Sequence, residues 1–200
     1  MARAGEATTT DTETTEARIT RRLGSRTIVL VGMPGAGKSS IGRRLAARLG
    51  LPFVDADAEI EEAANATIAE IFETHGEPYF RDGERRVIQR LLDGSPKVLA
   101  TGGGAFVSPE TRESIRADGL SIWLKADRDV ILQRVRRRSN RPMIKAGDAE
   151  AVIDRLLAER SPIYAEADIH IQSREVAHDV VLGDILAALD AWLARETEPV

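Results

Sequence analysis

The stretch TIVLVGMPGAGKSSIGRRLAARLG, residues 27–50, decides the fold. Its opening run, Thr27 to Val31, is continuous and rich in β-branched residues, the mark of a central strand in a parallel sheet. Its closing part, Ser39 to Leu49, carries Ile41, Leu45, Ala46 and Leu49 at helical spacing and stops at Gly50, a C-cap residue. Between strand and helix, Gly32-Met33-Pro34-Gly35-Ala36-Gly37-Lys38-Ser39 matches G-x-x-x-x-G-K-[ST] in the context that the pattern requires. Glycines let such a loop curl until its backbone N–H groups face phosphate oxygens, and the following helix adds the positive end of its dipole. Gly35, Ala36, Gly37 and Ser40 are therefore expected around the phosphates, with Lys38 reaching the β- and γ-phosphates and the Ser39 hydroxyl ligating Mg²⁺. The bland alternative is a glycine-rich turn that only joins strand to helix.

Outward from this unit, short apolar runs alternate with amphipathic stretches, so the fold class is α/β, an open sheet sandwiched by helices. Phe53 to Asp55, Val98 to Thr101, Leu120 to Leu124 and Ile169 to Gln172 supply the other four strands. Helices are expected over Ala58 to Thr74, Glu84 to Leu92, Asp127 to Arg137, Asp148 to Arg160 and Val180 to Leu193. Residues 1–22 are threonine-rich and acidic with little to bury, and read as a disordered tail; a docked amphipathic helix is the alternative. Residues 23–200 then form a single domain.

Composition narrows the function classes. The 200 residues are 42% hydrophobic and 30% charged with a net charge of -4, which argues against a general binder of nucleic acid or membrane surface. Without cysteine there are no disulfides, thiolate metal sites or cysteine nucleophiles, and the expected location is the cytoplasm. No apolar run approaches the roughly 18 residues of a membrane span. His75, His170 and His178 are scattered without metal-ligand spacing. The GTPase patterns D-x-x-G and N-K-x-D are absent, which removes a small G-protein.

Further constellations fall at the sheet edge that carries ligands in open α/β folds. Asp55 and Asp57, at i and i+2 near the end of the second strand, project to one side; Asp55 is placed to hold Mg²⁺ and Asp57 to accept a proton from an attacking hydroxyl. The competing role for one of them is a helix N-cap. Arg81 stands beside Phe80, with Glu84 able to fix its guanidinium; in isolation the pair reads as an i, i+3 surface contact. Thr101-Gly102-Gly103-Gly104 directly follows a strand, where glycines bring backbone N–H groups close to a ligand. Five arginines between Arg134 and Arg141 are a solvated face, a nucleic-acid patch, or the entrance to a lid that brings Arg141 to the transferring phosphoryl group. Arg160 closes a helix at Pro162.

In order and spacing these motifs resemble shikimate kinase, within the nucleoside-monophosphate-kinase-like group of P-loop kinases. The markers are GMPGAGKSS at 32–40, D-x-D at 55–57, F-R-x-x-E at 80–84, G-G-G at 102–104, R-P at 141–142 and E-R-x-P-x-Y at 159–164. The resemblance, over roughly residues 25–190, implies a 2-3-1-4-5 parallel sheet, Mg-ATP as donor and the 3-hydroxyl of shikimate as acceptor. It implies that Asp57 binds the acceptor hydroxyls and acts as base, and that Arg81 and Arg160 clamp the carboxylate. Gly103, flanked by Gly102 and Gly104, donates its N–H to the substrate, Arg134 stacks on adenine, and Arg141 belongs to the lid. The acceptor region is then about 56–83 and the lid about 137–150, in a monomer that binds neither nucleic acid nor membrane. Asp82, Gly83 and the basic run Arg136 to Arg138 depart from the family's usual residues. A gluconate-kinase-like enzyme and a nucleotide-sensing regulatory module remain as alternatives.

Overall fold

A computed structural model describes residues 13–137, 149–174 and 177–197. At its centre β1 (Thr27–Val31), buried at every position, pairs in parallel with β3 (Val98–Ala100) and β4 (Gly119–Ala126). β2 (Phe53–Asp55) lies beyond β3 and β5 (Ile169–Ser173) beyond β4, giving the order β2-β3-β1-β4-β5 that the resemblance implied. The core joins both faces of this sheet to the flanking helices; Ile28, Leu30, Leu99, Leu120, Ile122 and Leu124 are fully buried. α2 (Lys38–Leu49) rises from the loop after β1 and ends at Gly50, whose left-handed conformation (φ 65°) confirms the expected cap.

Three expectations are corrected. Part of the supposed tail is α1 (Thr15–Leu23), packed against α8 (His178–Thr197). Ile19 and Leu23, four residues apart, are buried, and Arg18 and Arg22 both pair with Asp190. The threonine cluster weighed against helix, yet most of it precedes the helix and Thr14 accepts from the Ala17 N–H as its N-cap. Ile19→Ala is expected to lower unfolding stability by about 2–5 kcal/mol in urea titration, the cost of truncating a buried aliphatic chain. A change below about 0.5 kcal/mol, the range of a surface substitution, would show that the helix is not docked.

Second, the helix expected over Ala58 to Thr74 is two helices. α3 (Ala56–Ala64) stops at Asn65, which is left-handed (φ 47°), and α4 (Ile68–Leu91) restarts behind a reciprocal capping box between Thr67 and Glu70. α4 is kinked at Gly76 (φ 80°) just before Pro78. Together α3 and α4 hold a small core of their own around Ile60, Ile71 and Phe80. Third, α7 (Ala149–Tyr164) continues through Pro162 rather than ending there. α5 (Pro109–Asp118) and α6 (Arg128–Arg137) complete the layers. Among the described residues no helix is long and apolar enough to cross a membrane.

Candidate active site

The loop between β1 and α2 curls as its sequence required, with Gly35 (φ 86°) and Gly37 (φ 100°) in backbone conformations that side chains disfavour. Lys38, the first residue of α2, is buried, and its ammonium donates to the Gly32 and Met33 carbonyls at 2.8 and 3.0 Å. The loop is braced from behind. Arg134 donates to the Gly35 and Ala36 carbonyls at 3.2 and 3.1 Å, and the Ser173 hydroxyl donates to Ala36 at 2.9 Å. Ser40 accepts from Arg44 at 3.0 Å, and His178 Nε2 lies 3.4 Å from the same hydroxyl.

A cleft extends from this loop past Asp55 and Asp57 to Gly102 and Gly103. The Ser39 hydroxyl donates to Asp55 Oδ2 at 2.6 Å, while Asp55 Oδ1 accepts from the Asp57 N–H at 3.1 Å. Asp55 is thus both the N-cap of α3 and a hydrogen-bond partner of Ser39, so the cap expected of one of the two acids falls to Asp55 and not to Asp57. The same-side argument for the two acids does not apply, because β2 ends at Asp55 and Asp57 sits in the first turn of α3. Hard oxygen donors from Ser39 and Asp55 at the edge of a phosphate cradle fit a magnesium ion, which keeps water and phosphate oxygens as its other ligands. Among the described residues no group of three or more His, Asp or Glu converges as a protein-only metal site.

Beside the cleft, Arg81 and Glu84 pack against the glycine run. Arg81 donates to Glu84 Oε2 at 2.7 Å and to Glu77 Oε1 at 3.1 and 3.2 Å, with its guanidinium over the Phe80 ring. Glu84 is only 3% exposed, so the surface-pair reading of Arg81 and Glu84 is corrected: the carboxylate is buried and the guanidinium half-buried. Burial pushes the Glu84 carboxyl above its ordinary range and Asp57 adds to this, while Arg81 and Arg160 pull the other way. Its second oxygen, Oε1, is buried without a hydrogen bond.

Gly102, Gly103 and Gly104 tie these parts together by contact. A Cβ on Gly102 would lie 2.6 Å from Glu84 Oε1 and 2.8 Å from Asp57 Oδ1. One on Gly103 would strike Pro34 of the phosphate loop at 2.5 Å, and one on Gly104 would overlap the Arg81 guanidinium. Arg160 donates to the Gly103 carbonyl at 2.9 Å, and the Tyr164 hydroxyl donates to the same oxygen. Side chains as far apart in the chain as Asp57 and Arg160 thus meet on one glycine run. Arg141 and residues 138–148 of the expected lid lie outside the described residues. Sequence reasoning assigned nothing to Tyr164 beyond its place in E-R-x-P-x-Y; its spacing of four from Arg160 was the available signal, since it puts both on one helix face.

Comparison with known proteins agrees with this arrangement. The chain is 62% identical over 178 residues to a shikimate kinase of Rhodopseudomonas palustris, covering 89% of this chain and 88% of that one. It is 61% identical over 181 residues to a shikimate kinase of Bradyrhizobium diazoefficiens, covering 90% and 87%. Among solved structures, shikimate kinase from Acinetobacter baumannii in complex with shikimate superposes with a TM-score of 0.80 at 36% identity, covering 90% of this chain and 99% of that one. The family model described as shikimate kinase matches residues 34–190. That span takes in Lys38, Asp57, Arg81, the glycine run and Arg160, and by it the chain belongs to the shikimate kinase family.

Proposed function

We propose that this ATP-dependent phosphotransferase moves the γ-phosphoryl group of Mg-ATP to the 3-hydroxyl of shikimate, with the residue roles that follow. The observation that carries the reading is the convergence of Asp57, Arg81 and Arg160 on the three-glycine run that abuts Pro34 of the phosphate loop. A small anion with several hydroxyls calls for arginine forks at one end and a carboxylate at the other, which these residues supply.

Gly35 to Ser40 hold the phosphates through backbone N–H groups, and Lys38 neutralises charge that builds on the β- and γ-oxygens. Ser39 and Asp55 would hold a magnesium ion, which would supply charge neutralisation at the phosphates. Arg81 and Arg160 fix the acceptor carboxylate, and Glu84 stops the Arg81 fork from rotating away. Asp57 accepts the proton of the 3-hydroxyl as its oxygen bonds to the γ-phosphorus and the bond to the leaving ADP oxygen breaks. Arg134, already hydrogen-bonded to the phosphate loop, flanks the nucleotide on the adenine side. Residues about 56–83 form the acceptor region, in keeping with the separate small core of α3 and α4, and Arg141 serves the lid over about 137–150. The working unit is a monomer in the cytoplasm with no nucleic-acid or membrane partner.

Coupled ADP release tests the reading. Purified protein with Mg-ATP is expected to turn over with shikimate and to remain at background with gluconate. Turnover with gluconate alone would remove the carboxylate roles of Arg81 and Arg160, whereas ATP binding with silence toward both acceptors would favour a nucleotide sensor.

A further inference from the structure

Tyr164 has no role in the mechanism above, yet among the described residues it is the largest fully buried side chain. It closes α7 one turn beyond Arg160 and lies against Trp123 and Phe106, with ring centroids 5.9 and 6.5 Å away. Its hydroxyl reaches out of this apolar packing to the Gly103 carbonyl, which Arg160 also contacts at 2.9 Å. Burial pushes the hydroxyl up to about 12, with Arg160 pulling the other way, so it stays protonated and a donor at neutral pH. That oxygen accepts from two donors, one for each lone pair, and one of the two is the guanidinium assigned to the acceptor's carboxylate.

We propose that Tyr164 is a positioning residue for the acceptor site, holding the Gly103 carbonyl in place when Arg160 swings from that carbonyl to the acceptor's carboxylate. This rests on the function proposed above. A carboxylate is held best by two parallel N–H groups of one guanidinium, and presenting the fork that includes Nη1 takes Arg160 off the Gly103 carbonyl. Without the tyrosine, that movement strips a partly enclosed carbonyl of its partner, and the desolvation penalty weakens acceptor binding. With the tyrosine, the peptide between Gly103 and Gly104 stays fixed while Arg160 changes partners. The position of that peptide matters to the acceptor, because Gly104 abuts the Arg81 guanidinium. The phosphate loop is braced independently by Arg134 and Ser173, so the effect is confined to the acceptor.

Tyr164→Phe keeps the ring in its aromatic packing and removes only the hydroxyl. Steady-state ADP release is expected to show the KM for shikimate raised about tenfold, the scale of one buried hydrogen bond, with kcat and the KM for ATP within about twofold of wild type. Ile153→Val, in the same helix and also buried, is the control: it lowers the melting temperature and leaves the KM for shikimate unchanged. If Tyr164→Phe leaves that KM unchanged while wild type turns over with shikimate, the positioning role is overturned and the proposed function stands. Equal rises in both KM values, reproduced by Ile153→Val, would reduce Tyr164 to a packing residue. Absence of shikimate-dependent turnover in wild type would overturn the proposed function and this role with it.

Discussion

Asp57→Asn is expected to lower kcat by about two to four orders of magnitude while leaving ATP binding within about twofold, the pattern of a lost general base. The asparagine preserves the size of the side chain in the first turn of α3 and removes the carboxylate that accepts the proton. The setting suits the carboxylate to that role, since it faces the glycine run beside Glu84 and lines the same cleft as Lys38. The measurement is kcat at saturating Mg-ATP and shikimate, with nucleotide affinity by calorimetry in parallel. Unchanged kcat would remove Asp57 from proton transfer. A parallel loss of ATP affinity would assign it to the donor side instead.

Lys38→Met comes next in size, with kcat expected to fall about 10²–10³-fold, the loss seen when a preorganised donor to a developing anion is removed. Here ATP affinity falls as well, because the ammonium acts on the bound phosphates in the ground state as well as in the transition state. The lysine also spans its own loop through the Gly32 and Met33 carbonyls, so the variant loosens the cradle before any ligand arrives. Thermal melting with and without Mg-ATP separates these contributions: a loosened loop lowers the unliganded transition, and lost phosphate binding shrinks the ligand-induced rise. A fully active variant would contradict the assignment of residues 32–39 as the phosphate loop.

The two variants divide the reaction into its acceptor and donor halves. Asp57 is tested through kcat with affinity intact, and Lys38 through both together. The glycine run is where the halves meet, since its three residues abut Asp57, Pro34 and Arg81 in turn.

Much of this was legible in the chain itself. The run from Thr27 to Gly50 determined a buried strand, a phosphate loop and a helix, because period, glycine placement and capping all act within a few residues of one another. The order of motifs along the chain was enough to name the family and the donor and acceptor expected of it. Local reading failed where the deciding contact was distant or the signal was outweighed. α1 was set aside for its threonines, although its helix is fixed by Ile19, Leu23 and a partner, Asp190, far along the chain. The Thr67 to Glu70 capping box was in the sequence and marks the break after Asn65, but the apolar spacing across it reads as one helix.

Sequence alone therefore determined the sheet, the loop that holds phosphate and the candidate residues, because each depends on chain-local geometry or on a motif. Tertiary structure alone decided that Glu84 is buried rather than a surface partner of Arg81, because burial depends on what packs against a residue and not on its neighbours in the chain. It likewise decided that Asp55 joins the Ser39 hydroxyl while capping α3, and that Arg160 and Tyr164 share the Gly103 carbonyl. Those contacts span 16, 57 and 61 residues, and no period or turn rule reaches so far.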